Sequence, residues 1–282
     1  MNDYVSLIRV RQWYKNLVLF LPLLFGGHLF VRSELILALE GFGLLCLLYS
    51  GIYVFNDIMD RAKDAVHPEK YLRPIASKRI SVTKASIMGL TLIILSLGGA
   101  FFLSKPFLMV LCVILMINII YTFFLKEVLF ADILMIAILF VLRAVSGAVL
   151  ISVAVSPWLI LCPFFLSLFL SVGKRHGDVA LLGDKASRTR EVLRLYTPEI
   201  TSSLMIISTT LLIISYALYC ILSDHQFLLL SLPFGLFGVF RYYHLIVSGS
   251  EIARNPEKIV RDVPLILGIL LWGLVIIGVL YF

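Results

Sequence analysis

Charged residues are scarce in this chain of 282 residues: Asp, Glu, Lys and Arg make up 15% of the positions, and hydrophobic residues make up 61%. A soluble domain usually carries about 25% charged residues. Because the surplus of apolar side chains needs a solvent other than water, the composition favours a membrane protein. The formal net charge of +7 then reflects basic loops at one membrane face, and no nucleic-acid partner is expected.

Cysteine is also rare, and its spacing excludes two kinds of site. The four cysteines each stand alone in an apolar run, at Cys46, Cys112, Cys162 and Cys220. None belongs to a CxxC pair or another metal-ligand spacing. The sequence therefore predicts no disulfide and no zinc site.

Long apolar runs dominate the chain instead, and a membrane-spanning helix needs about 20 apolar residues. Such runs cover 16–31, 35–55, 83–103, 106–125, 129–151, 155–172, 202–222, 226–247 and 263–282. The sequence therefore predicts an all-α, polytopic membrane protein. We expect a bundle of about nine transmembrane helices that forms a single domain over residues 1–282.

The basic residues predict how this bundle is oriented. With the N-terminus in the cytoplasm, 21 of the 24 Lys and Arg residues lie on the inner side, and only Arg32 and Lys105 lie outside. This bias is the positive-inside rule, and it predicts a plasma-membrane protein whose C-terminus is outside. The long loops 56–82, 173–201 and 248–262 are then cytoplasmic, and functional residues are expected there.

An acidic stripe marks the end of the second predicted span. Asp57, Asp60 and Asp64 are spaced i, i+3, i+7, so at about 100° per residue they share one face of a helix. Asn56 lies four residues before Asp60 and extends the same face. Three neighbouring carboxylates repel one another unless a cation neutralises them, and oxygen-only ligands favour Mg²⁺. We predict a magnesium site here that holds a diphosphate. A solvated helix end paired with Arg61 and Lys63 is the alternative.

The residues that follow the stripe suit an anionic ligand. The segment from His67 to Ser77 contains Lys70 and Arg73 close behind the acids. Basic side chains next to carboxylate metal ligands are typical of sites that bind a metal–phosphate complex.

The run from Asn56 to Ser77 resembles the NDxxDxxxD motif of the UbiA superfamily of intramembrane prenyltransferases. The resemblance implies a nine-helix bundle that uses Mg²⁺ to bind a diphosphate. The continuation HPxKxxRPIAS is similar to the branch formed by the decaprenyl-phosphate phosphoribosyltransferases. Four further segments resemble that branch: Arg9, Gln12, Trp13, Lys15 and Asn16; Tyr121, Lys126 and Asp132; Lys174, Arg175 and Asp178; and Pro256, Glu257 and Asp262. Val10 stands where the branch usually has proline, and Asp178 where it usually has glutamate.

One departure separates this chain from the aromatic prenyltransferases of the superfamily, which carry a second aspartate-rich motif after the sixth span. Here the corresponding loop begins with Lys174 and Arg175. Its acids, Asp178 and Asp184, are six residues apart and about 240° apart around a helix. Because they do not share a face, the loop is better suited to phosphate oxygens than to a second metal.

Arg143 lies well inside the predicted span 129–151, far from both of its ends. A charge within the membrane is costly and usually functional. Two roles remain open for it: contact with a substrate phosphate, or a structural pair with an acid on a neighbouring helix.

Together, the residues and the resemblance predict Mg²⁺-dependent transfer of 5-phosphoribose from phosphoribosyl diphosphate to a polyprenyl phosphate, with release of diphosphate. Membrane lipids surround the bundle, and the oligomeric state stays open, a homo-oligomer included. An aromatic prenyltransferase is the first alternative. A lipid or solute transporter is the second, although its polar site would lie near the bilayer midplane. The residues assigned to the substrates are Lys15, Asn16, Lys70, Arg73, Tyr121, Lys126, Asp132, Arg143, Lys174, Arg175 and Asp178.

Overall fold

The computed structural model describes residues 3–67, 69–182 and 191–282, and the regular structure in these ranges is entirely helical. The α-helices are α1 (Asp3–Leu7), α2 (Leu21–Phe25), α3 (Arg32–Ala65), α4 (Val82–Leu103), α5 (Lys105–Ile120), α6 (Ala131–Leu150), α7 (Pro157–Leu182), α8 (Pro198–Leu222), α9 (Leu232–Val247), α10 (Glu251–Arg254) and α11 (Val263–Tyr281). 3₁₀-helices cover Val10–Phe20, Glu191–Arg194, Gln226–Ser231 and Pro256–Arg261, and a π-helical turn, Tyr121–Leu125, continues α5.

Eight of the described helices are long and apolar enough to cross a membrane. They are α3, α4, α5 with its π-helical turn, α6, α7, α8, the segment Phe227–Val247 that ends in α9, and α11. Each corresponds to one of the predicted spans from 35–55 onwards. The all-helical, multi-pass membrane architecture predicted from the sequence is therefore confirmed.

The first predicted span, 16–31, does not form one continuous α-helix. The chain instead runs as a 3₁₀-helix over Val10–Phe20 and then as α2, which ends before Gly27 at a φ of 79°. A 3₁₀-helix rises about 2.0 Å per residue against about 1.5 Å for an α-helix, so the two segments together extend for about 30 Å. That length matches the hydrocarbon thickness of a bilayer, so the broken segment is long enough for a ninth crossing.

This N-terminal segment packs closely against α6. A Cβ atom built on Gly147 would lie 1.9 Å from the carbonyl oxygen of Leu19. Only glycine allows the two backbones to approach in this way, as small residues do between membrane helices. The neighbours Ser146 and Ala148 are fully buried as well. The contact brings residues just before Leu19 next to the polar face of α6.

Two helices extend beyond the apolar layer on the same side. Helix α3 has 34 residues, or about 51 Å, and α7 has 26 residues, or about 39 Å. Both exceed the roughly 30 Å of bilayer hydrocarbon. The C-terminal end of α3 carries the acidic stripe, and that of α7 carries Lys174, Arg175 and Asp178. These three residues therefore lie on a helix, where the sequence predicted a loop.

The core consists of two main clusters of buried side chains. One joins α3, α5 and α6 around residues such as Leu45 and Phe107, and the other joins α7, α8, α9 and α11 around Phe169 and Leu265. Large apolar side chains also cover the outer surface, and Phe102 is 88% exposed. Such a surface is stable in lipid and would be strongly unfavourable in water.

Candidate active site

The acidic stripe lies on α3 as predicted, and basic side chains from two other segments neutralise it. Asp57 and Asp64 are 3% and 4% exposed. The Arg73 guanidinium bridges them, at 3.0 Å from Asp57 Oδ1 and 2.6 Å from Asp64 Oδ2. Arg9 donates a second hydrogen bond to Asp57 Oδ1. The two buried carboxylates are thus held by charge-assisted hydrogen bonds to arginine.

Arg9 occupies an unusual backbone position. Its φ of 53° lies in the left-handed region, which costs free energy for a residue other than glycine. The Ser50 hydroxyl donates to the carbonyl of Ile8 at 2.8 Å, and the guanidinium carbon of Arg9 lies 5.1 Å from the ring centroid of Tyr53. These contacts hold the Arg9 side chain over the stripe.

The third carboxylate of the stripe is paired through the π-helical turn. Lys126, directly after that turn, places Nζ 2.7 Å from Asp60 Oδ1. The Thr122 hydroxyl donates to Asn56 Oδ1 at 2.8 Å, and Tyr121 is half-buried at the start of the turn. π-Helical turns occur preferentially at functional sites because they rotate side chains out of α-helical register. Here the turn brings Thr122 and Lys126 into contact with Asn56 and Asp60 of the acidic stripe.

The donor set of the stripe fits a hard divalent cation. Across the described ranges, no three His, Cys, Asp or Glu side chains converge closely enough to form a complete metal cage. Mg²⁺ does not need one, because it keeps several waters and binds through one or two carboxylates plus substrate phosphates. Asp57, Asp60 and Asp64 supply such carboxylates on one helical face, and they would be free for a metal once the basic partners turn to a phosphate.

The loop after α3 folds back over the stripe. Lys70 lies within Coulombic range of Asp64 and of His67. Burial, and then the nearby positive charge of Lys70, lowers the pKa of His67 to about 4. The loop is tied to the last inner loop by the ion pair between Glu69 Oε1 and Arg254 Nη1, at 2.6 Å. Two of the three long loops therefore meet above the acids.

A buried ion pair connects α6 and α7. Asp132 is 0% exposed and accepts hydrogen bonds from Arg175 Nε at 2.8 Å and from the Tyr196 hydroxyl at 2.6 Å. Arg175, itself 5% exposed, also lies 3.5 Å from Asp178. Burial and the hydrogen bond to Asp132 raise the pKa of Tyr196 above its usual range, so its hydroxyl stays a donor. The charges and hydrogen-bonding groups of Asp132, Arg175 and Tyr196 are thus paired with one another.

Arg143 lies deep in the bundle without an acidic partner in the part of the chain that the structure describes. It is 5% exposed, and Nε donates to Asn16 Oδ1 at 3.0 Å while Nη1 donates to the Leu139 carbonyl at 3.3 Å. Its guanidinium carbon lies 3.8 Å from the centroid of the Tyr49 ring, within cation–π distance. The predicted alternative of a structural ion pair is therefore not seen among the described residues.

Two lysines complete a cluster of cations around Arg143. Lys15 lies within Coulombic range of Arg143 and Arg9, and Lys174 lies within Coulombic range of Lys15. Glu257 is within the same range of both lysines, and Asp178 is within that range of Lys174. Neither lysine forms an ion pair with a described residue, and Lys174 is solvent-exposed. We call Lys15, Arg143 and Lys174 the unpaired cations.

Six of the basic residues that were predicted to bind substrate thus fall into two groups. Arg73, Lys126 and Arg175 are bound to carboxylates, whereas the unpaired cations are available to a ligand. Asp184 lies in 183–190, outside the described residues. Arg9 was not among the predicted site residues, although the N-terminal motif contains it. Thr122 and Tyr196 carried no sequence signal.

Comparison with known proteins agrees with this architecture. The sequence profile of the UbiA prenyltransferase family matches residues 18–257. The chain is 32% identical to the decaprenyl-phosphate phosphoribosyltransferase of Mycobacterium tuberculosis over 95% of this chain and 91% of that protein. It is 33% identical to the protein of the same name from Corynebacterium glutamicum, over 80% and 69%.

The fold also matches solved structures. A UbiA homolog from Archaeoglobus fulgidus bound to GPP and Mg²⁺ superimposes with a TM-score of 0.73, at 19% identity, over 99% of this chain and 100% of that one. The family match, the relatives and the shared fold lead to one conclusion: this chain is a multi-pass membrane transferase that belongs to the UbiA prenyltransferase family.

Proposed function

We propose that this protein transfers 5-phosphoribose from phosphoribosyl diphosphate to a polyprenyl phosphate and releases diphosphate. The observation that carries the proposal is the division of charge in the site. An acidic stripe suited to a metal–diphosphate lies beside three cations that have no ion pair with a described residue. A prenyl diphosphate presents one anionic group, whereas this reaction brings together a diphosphate, a 5-phosphate and an acceptor phosphate.

The acidic stripe would hold the donor. Asp57, Asp60 and Asp64 would bind Mg²⁺, which when bound neutralises charge on the leaving diphosphate. Arg73 and Lys126, now on those carboxylates, would turn to the phosphate oxygens. Asn56 is held by Thr122 on the same face and would orient the bound group.

The unpaired cations would hold the remaining phosphates. An isolated cation inside a membrane protein is strongly unfavourable unless a ligand or a polar cavity compensates it. Arg143 donates hydrogen bonds to Asn16 and to the backbone carbonyl of Leu139, which leave part of its guanidinium for a phosphate. In this proposal, Asp132 and Arg175 act indirectly, since their pairing fixes the end of α7 and with it Lys174.

The chemistry then needs no general base. The acceptor phosphate is already an anion, and one of its oxygens forms the new bond to C1 of the ribose as the bond from C1 to the diphosphate oxygen breaks. Positive charge develops at C1 as in glycoside transfer. Direct displacement of this kind inverts the configuration at C1.

The proposal includes the location of the site. The acidic stripe, the N-terminus and the long loops would lie in the cytoplasm and the C-terminus outside, and the strong excess of basic residues on one side supports this orientation. The aromatic-prenyltransferase alternative explains the stripe but gives no role to the unpaired cations.

A pyrophosphate-release assay on the purified protein tests the proposal. Diphosphate should appear from phosphoribosyl diphosphate only when polyprenyl phosphate is present. Lys174→Ala should lower kcat/KM by about 30-fold or more, since removing the cation that pairs with a phosphate once the bound substrate covers it costs about 2–5 kcal/mol. Lys84→Ala, a change at an exposed lysine on the same side, serves as the matched control. Normal turnover in Lys174→Ala would remove the observation on which the proposal rests.

A further inference from the structure

An apolar cavity of about 390 Å³ lies between α7, α8, α9, α11 and the N-terminal segment. Its lining includes Leu21, Phe169, Gly238, Leu265 and Trp272. This volume falls in the range of cavities that hold small organic ligands. An apolar wall of this kind accommodates a hydrocarbon chain and excludes a charged one.

One hydroxyl in the cavity lining has no hydrogen-bond partner among the described residues. Tyr242 lines the cavity and is 3% exposed, and its hydroxyl is buried without a hydrogen-bond partner among the described residues. A buried hydroxyl that makes no hydrogen bond costs about 1–3 kcal/mol, so such groups usually have a partner or a function. Its ring is held edge-on by Phe169, with centroids 5.6 Å apart, which fixes the direction of the hydroxyl.

The unpaired cations lie close to Tyr242. Tyr242 is within Coulombic range of Glu257, and Glu257 is within the same range of Lys15 and Lys174. Lys15 in turn lies within range of Arg143. The three cations face two carboxylates, Glu257 and, beside Lys174, Asp178, so an excess of positive charge remains. This excess attracts a phosphate monoester, which carries a charge of about −1.5 to −2.

We propose that this junction binds the acceptor lipid: the first isoprene units occupy the apolar cavity, and the Tyr242 hydroxyl donates a hydrogen bond to the lipid phosphate held by the unpaired cations. The inference rests on the proposed function for the identity of the lipid. Tyr242 would thus select a lipid that ends in a phosphate over the same lipid ending in an alcohol. The phosphate would lie across from the acidic stripe, with Arg9 between them.

Direct binding of radiolabelled geranylgeranyl phosphate in detergent micelles tests this binding site, with EDTA present and phosphoribosyl diphosphate absent. The wild-type protein should bind the phosphate and bind geranylgeraniol at least tenfold more weakly. Tyr242→Phe should weaken phosphate binding by about tenfold or more, the effect of one hydrogen bond to a charged group, and leave geranylgeraniol binding unchanged. Tyr243→Phe, the same change at the next residue of α9, is the matched control.

A second pair of variants tests the position of the hydrocarbon chain. A Cβ atom on Gly238 or on Gly273 would meet no atom within 4 Å, but only Gly238 lines the cavity. Gly238→Leu fills the cavity and should weaken binding of geranylgeranyl phosphate by about tenfold or more, with isopentenyl phosphate less affected. Gly273→Leu should bind both as the wild type does.

The outcomes separate this inference from the proposed function. The proposed acceptor-binding site would be wrong if Tyr242→Phe and Gly238→Leu both bind the lipid phosphate normally. It would also be wrong if the wild-type protein binds no lipid phosphate without metal. Either result could occur even if the phosphoribosyl transfer is real. If lipid binding depends on Tyr242 but the protein never consumes phosphoribosyl diphosphate, the acceptor-binding site is supported and the proposed function is refuted.

Discussion

The two buried arginines provide the sharpest test of how charge is arranged in this bundle. Arg143 and Arg175 are each 5% exposed. Arg175 is bound to the fully buried Asp132, whereas Arg143 has no carboxylate partner among the described residues. Changing either arginine to Met keeps the volume similar and removes the charge. We expect Arg175→Met mainly to lower stability and Arg143→Met mainly to lower activity.

Arg175→Met leaves the Asp132 carboxylate buried beside a single hydroxyl donor, that of Tyr196. Breaking a buried ion pair in this way costs about 3–5 kcal/mol. At about 2–4 °C per kcal/mol, the Tm should fall by about 6–20 °C. Adding Asp132→Leu removes the stranded charge, and the double variant should recover most of the lost stability.

Arg143→Met strands no charge. It loses a cation–π contact worth about 2 kcal/mol and two hydrogen bonds worth about 1 kcal/mol each. It also removes the cost of a guanidinium in the membrane, about 2.5–3.5 kcal/mol. The balance is a net loss of about 0.5–1.5 kcal/mol, so at about 2–4 °C per kcal/mol the Tm should fall by only about 1–6 °C. Activity should still fall by about 30-fold or more if a phosphate is the partner of Arg143.

Thermal unfolding in detergent, followed by tryptophan fluorescence, measures both effects, and turnover is assayed on the same preparations. The reasoning is refuted if Arg143→Met unfolds as early as Arg175→Met, since Arg143 would then be structural. It is equally refuted if Arg143→Met is stable and fully active.

Three further outcomes are expected. Asp57→Asn should abolish Mg²⁺-dependent turnover and weaken Mn²⁺ binding measured by electron paramagnetic resonance; unchanged Mn²⁺ binding would exclude the stripe as the metal site. Because the pKa of His67 is lowered to about 4, its contribution to stability is complete above about pH 6.5 and is lost as the pH falls toward 4. His67→Gln should flatten this part of the curve of stability against pH. An unchanged slope would contradict the lowered pKa of His67. Ser81→Cys and Ser104→Cys each remove a helix N-cap, and in intact cells only Cys at position 104 should react with an impermeant thiol reagent; the reverse pattern would invert the topology.

Local periodicity explains how much of the site the sequence could predict. The spacing of Asp57, Asp60 and Asp64 places them on one face of any helix, and the apolar runs predict where span-length helices lie. The 3₁₀ geometry of Val10–Phe20 could not be inferred in this way, because this segment packs against Gly147, which lies more than 120 residues away on α6.

The pairing of the charges depends on tertiary structure. Arg9 reaches Asp57 across 48 residues, and Arg175 reaches Asp132 across 43. Lys174 and Arg175 are adjacent in the sequence and looked equivalent there. The rotation of α7 directs Arg175 to a buried acid and leaves Lys174 exposed, and composition and spacing contain no information about that rotation.

A competition experiment tests the central claim most directly. The purified protein would receive Mg²⁺, phosphoribosyl diphosphate, polyprenyl phosphate, geranylgeranyl diphosphate and an aromatic acid in one reaction, and the lipid products would be identified by mass spectrometry. We predict one new lipid, the polyprenyl phosphate carrying 5-phosphoribose, and no prenylated aromatic acid. A prenylated aromatic product without any ribosylated lipid would contradict the proposed function and leave only the family assignment.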